Sequence, residues 1–146
     1  MVMIGIDKEY IRNVISEINE GLGEIREAVS VGLEEFMRSR SRRFATRYSI
    51  VLIVKAATDL GIAIPKKCFN EEAKSYREVF LKLAEKGILS YSVAEGMSSL
   101  ASLRNMIVHR YWSIDDTRIY REAKSRGIKT VEEFIREVEN LVSKDP

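Results

Sequence analysis

Apolar residues recur at alternating spacings of four and three along the first quarter of the chain: Ile11, Ile15, Ile18, Leu22, Ile25, Val29, Gly32 and Phe36. That period places them on one helix face and predicts a long helix from a cap at about Asp7 to about Met37. Gly21, Gly23 and Gly32 interrupt it. Each costs roughly 1 kcal/mol against alanine, which predicts a bend or close packing there. A helix of ~30 residues spans about 45 Å, more than a small core needs. A second copy of the chain is the simplest expected cover for its far end.

The pattern continues as further helices. A second is expected from about Ser41 to Leu60, ending before Gly61, with Ile50–Val54 apolar nearly all round and therefore central. Pro65, Lys66 and Lys67 read as a loop. Asn70 is the expected cap of a third helix, with Glu71 and Glu72 in its first turn, Ala73, Tyr76, Phe80 and Leu83 on one face, and Gly87 at its end. Ser92 with Glu95 forms a capping box for a fourth helix that runs to about Arg110. Asp115 or Asp116 opens a short fifth helix stopping at Gly127, and Thr130 with Glu133 caps a sixth. The expected fold is all-α: an up-and-down bundle of four to six helices, one domain over residues 1–146.

Composition narrows what such a bundle does. A length of 146 residues fits one core. No stretch approaches a membrane span, and no signal-peptide pattern opens the chain. The single cysteine, Cys68, cannot staple the fold or make a zinc site alone, so a cytoplasmic setting is expected, with no metal and no cofactor. The net charge of +2 conceals segregation: residues 1–37 carry three basic and eight acidic groups, and residues 38–67 carry eight basic groups and one acid. Residues 104–129 are basic again, with seven basic and three acidic groups. Arg38, Arg40, Arg42, Arg43 and Arg47 form the densest block. They suit a phosphate backbone, or equally a solvated helix start that pairs with the acidic first helix.

The fourth helix holds an anomaly. Val93, Met97, Leu100, Leu103 and Ile107 make its apolar stripe, and Arg104 falls inside that stripe. An arginine there is costly unless paired or facing a polar cleft. It is either a phosphate-holding guanidinium or one half of a buried ion pair, with Asp59 as partner. His109, the only histidine, lies about 140° round an ideal helix from Arg104, on the side of Asn105. Convergence of the two then calls for a loosened helix end or a site assembled across a dimer. A lone histidine is ordinarily structural, but an imidazole beside arginines suits acid–base work on a phosphodiester.

Arg104-Asn105-Met106-Ile107-Val108-His109-Arg110-Tyr111, followed by Ile114-Asp115, resembles the HEPN superfamily of nucleotide-binding helical domains, and more narrowly its HepT branch. The Arg-Asn, His and Tyr positions of that signature are all matched, by Arg104, Asn105, His109 and Tyr111. Arg47-Tyr48, Ala57 to Gly61, and Ser75 to Phe80 with Leu83, Gly87 and Ile88 are also similar in order and spacing, so the likeness covers about residues 40–120.

The resemblance implies a homodimeric toxin of a toxin–antitoxin pair, with metal-independent cleavage of RNA. Its antitoxin is a minimal nucleotidyltransferase of the MntA type, which transfers AMP from ATP to the motif tyrosine, here Tyr111. Arg104 and His109 are then the catalytic pair, with Asn105 and Tyr111 supporting, and Arg38, Arg40, Arg42, Arg43 and Arg47 an RNA-backbone track. Two alternatives stand beside this. One is a non-catalytic HEPN module that binds nucleotide or a nucleotidyltransferase partner. The other is a helical adaptor in which Arg104 is a buried ion pair and His109 incidental.

Overall fold

The computed structural model describes residues 7–69 and 75–144, with 64–69 as backbone alone. Among them are seven α-helices: α1 (Lys8–Ala28), α2 (Leu33–Arg38), α3 (Arg40–Phe69), α4 (Tyr76–Glu85), α5 (Tyr91–His109), α6 (Asp116–Glu122) and α7 (Ile128–Ser143). A 3₁₀ turn, Tyr111–Ser113, follows α5, and one π-helical stretch, Ala123–Gly127, joins α6 to α7. The described residues contain no strand, as the 3.6-residue periodicity predicts. No helix among them is long and apolar enough to cross a membrane.

α3 is the central element, packed most extensively on α1 and also touching α2, α4, α5 and α6. Ile50, Ile53 and Val54 are buried, in keeping with the apolar run that marks this segment. The α1 face is sealed as the spacing predicts, with Ile11, Ile18, Leu22 and Ile25 almost fully covered. Asp7 caps α1 by accepting hydrogen bonds from the Glu9 and Tyr10 amides. α4 and α5 form an antiparallel pair whose link includes Gly87 at φ +77°, a conformation that glycine adopts without steric cost.

Several expected boundaries move, each for a local reason. The first long helix is two: the chain leaves α1 at Val29 and re-enters at Gly32, yet Val29 and Phe36 keep the seam buried. That turn is held from outside. Arg42 Nη1 donates to the Glu27 carbonyl at 2.7 Å and to the Ala28 carbonyl at 3.3 Å, and the Tyr120 hydroxyl donates to the Val31 carbonyl at 2.6 Å. These contacts satisfy carbonyls that a helix end leaves open.

The second helix does not end at Gly61, nor is the Pro65-Lys66-Lys67 segment a loop; α3 continues to Phe69. Gly61 is interior because α4 presses on it: a side chain there would overlap Val79. A proline forfeits one backbone hydrogen bond, and here the helix runs through it for only one more turn. Asn70, Glu71, Glu72 and Ala73 lie outside the described residues. Ser75, accepting from the Glu78 amide at 3.2 Å, caps α4 instead. α5 starts from Ser90 rather than Ser92, with the Ser90 hydroxyl accepting from Val93 and its amide donating to Glu137 of α7. Asp115 caps α6. No break follows Gly127, and Thr130 is not a cap: it is buried against Gly96 of α5.

Candidate functional site

Burial fixes how α5 presents its last two turns. Val93, Met97, Leu100 and Leu103 lock one face into the core, which leaves Asn105, Val108 and His109 outward. Arg104 sits at the margin of that face and is half-buried.

The Arg104 head group joins three neighbours. Nη1 donates to Asn105 Oδ1 at 3.1 Å and lies 3.5 Å from His109 Nε2. Cζ stands 5.0 Å from the centroid of the Tyr76 ring, within the range of a cation–π contact. Nε is buried with no hydrogen-bond partner. A guanidinium can only donate, and at 3.5 Å its contact with Nε2 is long, which leaves the imidazole open to a stronger donor.

Arg104 and His109 therefore meet within one chain, without the loosened helix or the second copy that an ideal helical wheel calls for. A wheel treats side chains as radial spokes. A long arginine instead sweeps sideways across Asn105, which lies between the two, and closes the angular gap. The alternative reading, an ion pair of Arg104 with Asp59, is not what forms. Asp59 accepts from Lys55 Nζ at 2.8 Å instead, a hydrogen bond that raises the lysine's proton affinity.

Tyr111 lies two residues beyond His109 on the 3₁₀ turn and is 73% exposed. Its ring meets Trp112 edge to face, with centroids 5.4 Å apart. Its hydroxyl makes no hydrogen bond among the described residues, so this phenol is open to a reagent. Phe44, Tyr48, Val108 and Trp112 are also exposed.

The arginine block divides. Arg40 is exposed without a partner among the described residues, and Arg38 makes only a solvent-exposed contact of 3.6 Å with Glu34. Arg42 holds the end of α1. Arg43 Nε donates to the Met37 carbonyl at 3.0 Å, and its Nη1 lies 3.7 Å from Asp116. Arg47 grips the buried Asp116 carboxylate with two nitrogens, Nε at 2.9 Å. This fork–fork hydrogen bonding raises the arginine's proton affinity further. Asp116, which the sequence marks only as a helix start, is thus the anchor of two arginines. Its neighbour Asp115 takes the capping role, and nothing in the local sequence separates the two carboxylates. Among the described residues, no group of three His, Cys, Asp or Glu side chains is placed to hold a metal ion.

A curated relative, the tRNA nuclease HepT of Aphanizomenon flos-aquae, is 23% identical over 140 residues, covering 96% of this chain and 95% of the relative. A solved structure of a tri-AMPylated HEPN toxin of Shewanella oneidensis in complex with MNT antitoxin has a TM-score of 0.81 at 19% identity, covering 90% of this chain and 97% of that one. A toxin–antitoxin crystal structure with AMP-PNP gives a TM-score of 0.77 at 18% identity, covering 88% and 97%. At such identities these structures show the shared fold. The model of the family described as ribonuclease HepT-like matches residues 18–138, across the helices and through the Arg-Asn…His-x-Tyr cluster. The chain belongs to the HepT-like ribonuclease family.

Proposed function

We propose that this chain is the toxin of a toxin–antitoxin pair, a metal-independent endoribonuclease silenced by AMP transfer to Tyr111 from a nucleotidyltransferase antitoxin. The observation that carries this is the contact of Arg104, Asn105 and His109 at the end of one helix. RNA supplies its own nucleophile, the ribose 2′-hydroxyl, so the protein needs only a proton acceptor and a charge stabiliser. His109 Nε2 takes the 2′-hydroxyl proton. The 2′-oxygen attacks the adjacent phosphorus, the bond to the 5′-oxygen of the next nucleotide breaks, a 2′,3′-cyclic phosphate forms, and the leaving 5′-oxygen takes a proton from water. Arg104 stabilises charge gathering on the non-bridging oxygens. Asn105 holds the guanidinium in place through its carbonyl oxygen.

The exposed phenol of Tyr111 supports the silencing step. Its oxygen attacks the α-phosphorus of ATP, pyrophosphate leaves, and the phenolic proton is released. The bound AMP adds bulk and negative charge beside His109, which repels an RNA phosphate. A homodimer belongs to the same proposal and is supported by the exposed Phe44, Tyr48, Val108 and Trp112. So do RNA contacts by the Arg38–Arg47 block and a cytoplasmic location. The names of the relatives, a tRNA nuclease and an AMPylated toxin with its antitoxin, point the same way.

The test is incubation of the purified protein with a mixed RNA pool, tRNA included, in EDTA, beside His109→Ala. Cleavage by the parent and a loss of about 10²- to 10⁴-fold in the variant is expected for a removed acid–base group. Equal cleavage by both rejects His109 as catalytic, and none by either favours a non-catalytic module that binds nucleotide or its partner. Incubation with the nucleotidyltransferase and ATP should add AMP at Tyr111, read by mass spectrometry. Added mass elsewhere contradicts the silencing step.

A further inference from the structure

Arg104 is held by an unusual set of contacts. Its Nε is buried and makes no hydrogen bond. A buried guanidinium N–H without an acceptor is costly, and arginines in such places are ordinarily paired with a carboxylate. None is within reach among the described residues: Asp59 faces Lys55. What faces the guanidinium instead is the Tyr76 ring, 5.0 Å from Cζ.

Tyr76 is well placed to act as a fixed surface. It is the first residue of α4, directly after the Ser75 cap that anchors the helix start, and its ring packs partly into the core. Nη1 is engaged by Asn105 and His109, while Nη2 has no partner among the described residues and is not among the buried orphan atoms. The guanidinium thus lies over an aromatic face and is held along Nη1 by two polar atoms. Its Nη2 edge is left toward solvent, where a phosphate would arrive.

We infer that Tyr76 is a positioning residue for the proposed nuclease: its ring, and not its hydroxyl, holds Arg104 in the orientation that meets both His109 and the substrate phosphate. A carboxylate in the same position would pair the guanidinium and neutralise it. An aromatic face orients the cation while leaving its charge for the substrate. The role rests on the nuclease reading of Arg104 and His109, but the hold on Arg104 is a structural matter that is measurable without any RNA.

Two measurements on Tyr76→Phe and Tyr76→Leu test it. In steady-state RNA cleavage, Tyr76→Phe should stay within about twofold of the parent, because the ring remains. Tyr76→Leu should lose about tenfold in kcat with KM nearly unchanged, since a misaligned charge stabiliser acts on the transition state. The second measurement is the proton NMR shift of the Arg104 Nε–H, assigned by comparison with Arg104→Lys. A proton over a ring face is shielded, so it should resonate upfield of ordinary arginine Nε–H signals in the parent and in Tyr76→Phe. An unshifted signal in the parent overturns the proposal whether or not Tyr76→Leu folds. So does an equal kcat loss in both variants, which would make the hydroxyl the working group, or full activity of a folded Tyr76→Leu. Should the parent cleave no RNA, the nuclease reading fails while the shifted Nε–H still reports the hold on Arg104.

Discussion

Arg42 donates to carbonyls that the end of α1 leaves open, whereas Arg40, two residues earlier, reaches solvent without a partner among the described residues. Charge density along the chain cannot distinguish such neighbours. Which arginine turns inward depends on where the end of α1 and Asp116 lie in space. Arg38 and Arg40 are therefore the members of the block most available to RNA phosphates, since exposed pairs such as Arg38 with Glu34 contribute little and exchange readily. A double Arg38→Ala, Arg40→Ala variant should reduce the salt dependence of RNA binding by a log–log slope of about 1 to 2, measured by titration at several salt concentrations. Arg42→Ala should instead lower stability by about 1 to 2 kcal/mol through the lost charged hydrogen bonds, seen in denaturant unfolding. An unchanged slope in the double variant would remove these two residues from the RNA track. The motif residues present the opposite case. Arg104, Asn105 and His109 stand together in the sequence within a turn and a half of helix. Yet the wheel sets Arg104 and His109 about 140° apart, and only the sideways reach of the arginine closes that gap. Tyr76, 28 positions away, comes to Arg104 only through the packing of α4 on α5.

Whole helices were more legible than their ends. The periodic seam on α1 marks the right buried residues even though the helix breaks, because burial follows the face and not backbone continuity. Glycine misleads for a related reason. Gly61 and Gly127 resemble stops in sequence, yet both lie inside continuous helical backbone, and Gly61 is there because a neighbouring helix leaves no room for a side chain. Gly96 gives the sharpest test of such close approach. A Cβ at this position would lie 2.6 Å from both Thr130 Cγ2 and Oγ1, so α5 and α7 meet nearly backbone to side chain. Gly96→Ala should destabilise the protein by about 1 to 3 kcal/mol despite alanine's better helix propensity, because overpacking outweighs the gain of ~1 kcal/mol. Thr130→Ala in the same chain should recover part of the loss, a coupling visible in a double-mutant cycle. Additive losses would show that Thr130 is not what confines Gly96.

At the scale of the molecule, the end of α5 that carries His109 is bounded by the turn to α6, and one carboxylate ties that turn to the centre of the fold. Asp116, at the start of α6, is 6% exposed and takes both Arg43 and Arg47 from α3. Removing the charge leaves two partly buried guanidinium groups without their shared counter-ion, so Asp116→Asn should cost about 2 to 4 kcal/mol, somewhat less than a fully buried pair. The pH dependence follows from the direction of the arginine shift. Arg47 has its proton affinity raised in the fold, so its contribution is complete below the ordinary arginine range and would fade only as pH rises through that range. From neutral to moderately alkaline pH the clasp should therefore hold at constant strength on the arginine side. The gap in unfolding free energy between parent and Asp116→Asn should then be nearly the same at pH 7 and pH 9. The same clasp sits beside the exposed aromatics proposed to meet a second copy: Phe44 stacks with Arg47 at 5.1 Å, and Tyr48 lies one turn further along α3. Tyr48→Glu should shift a dimer toward monomer in analytical ultracentrifugation with little change in the unfolding of the monomer, because a residue exposed in one chain loses packing only where two chains meet. Asp116→Asn should do the reverse and weaken the fold first, with dimerisation falling only as the α3–α6 junction loosens. A Tyr48→Glu protein with unchanged sedimentation would place any dimer contact elsewhere on the surface.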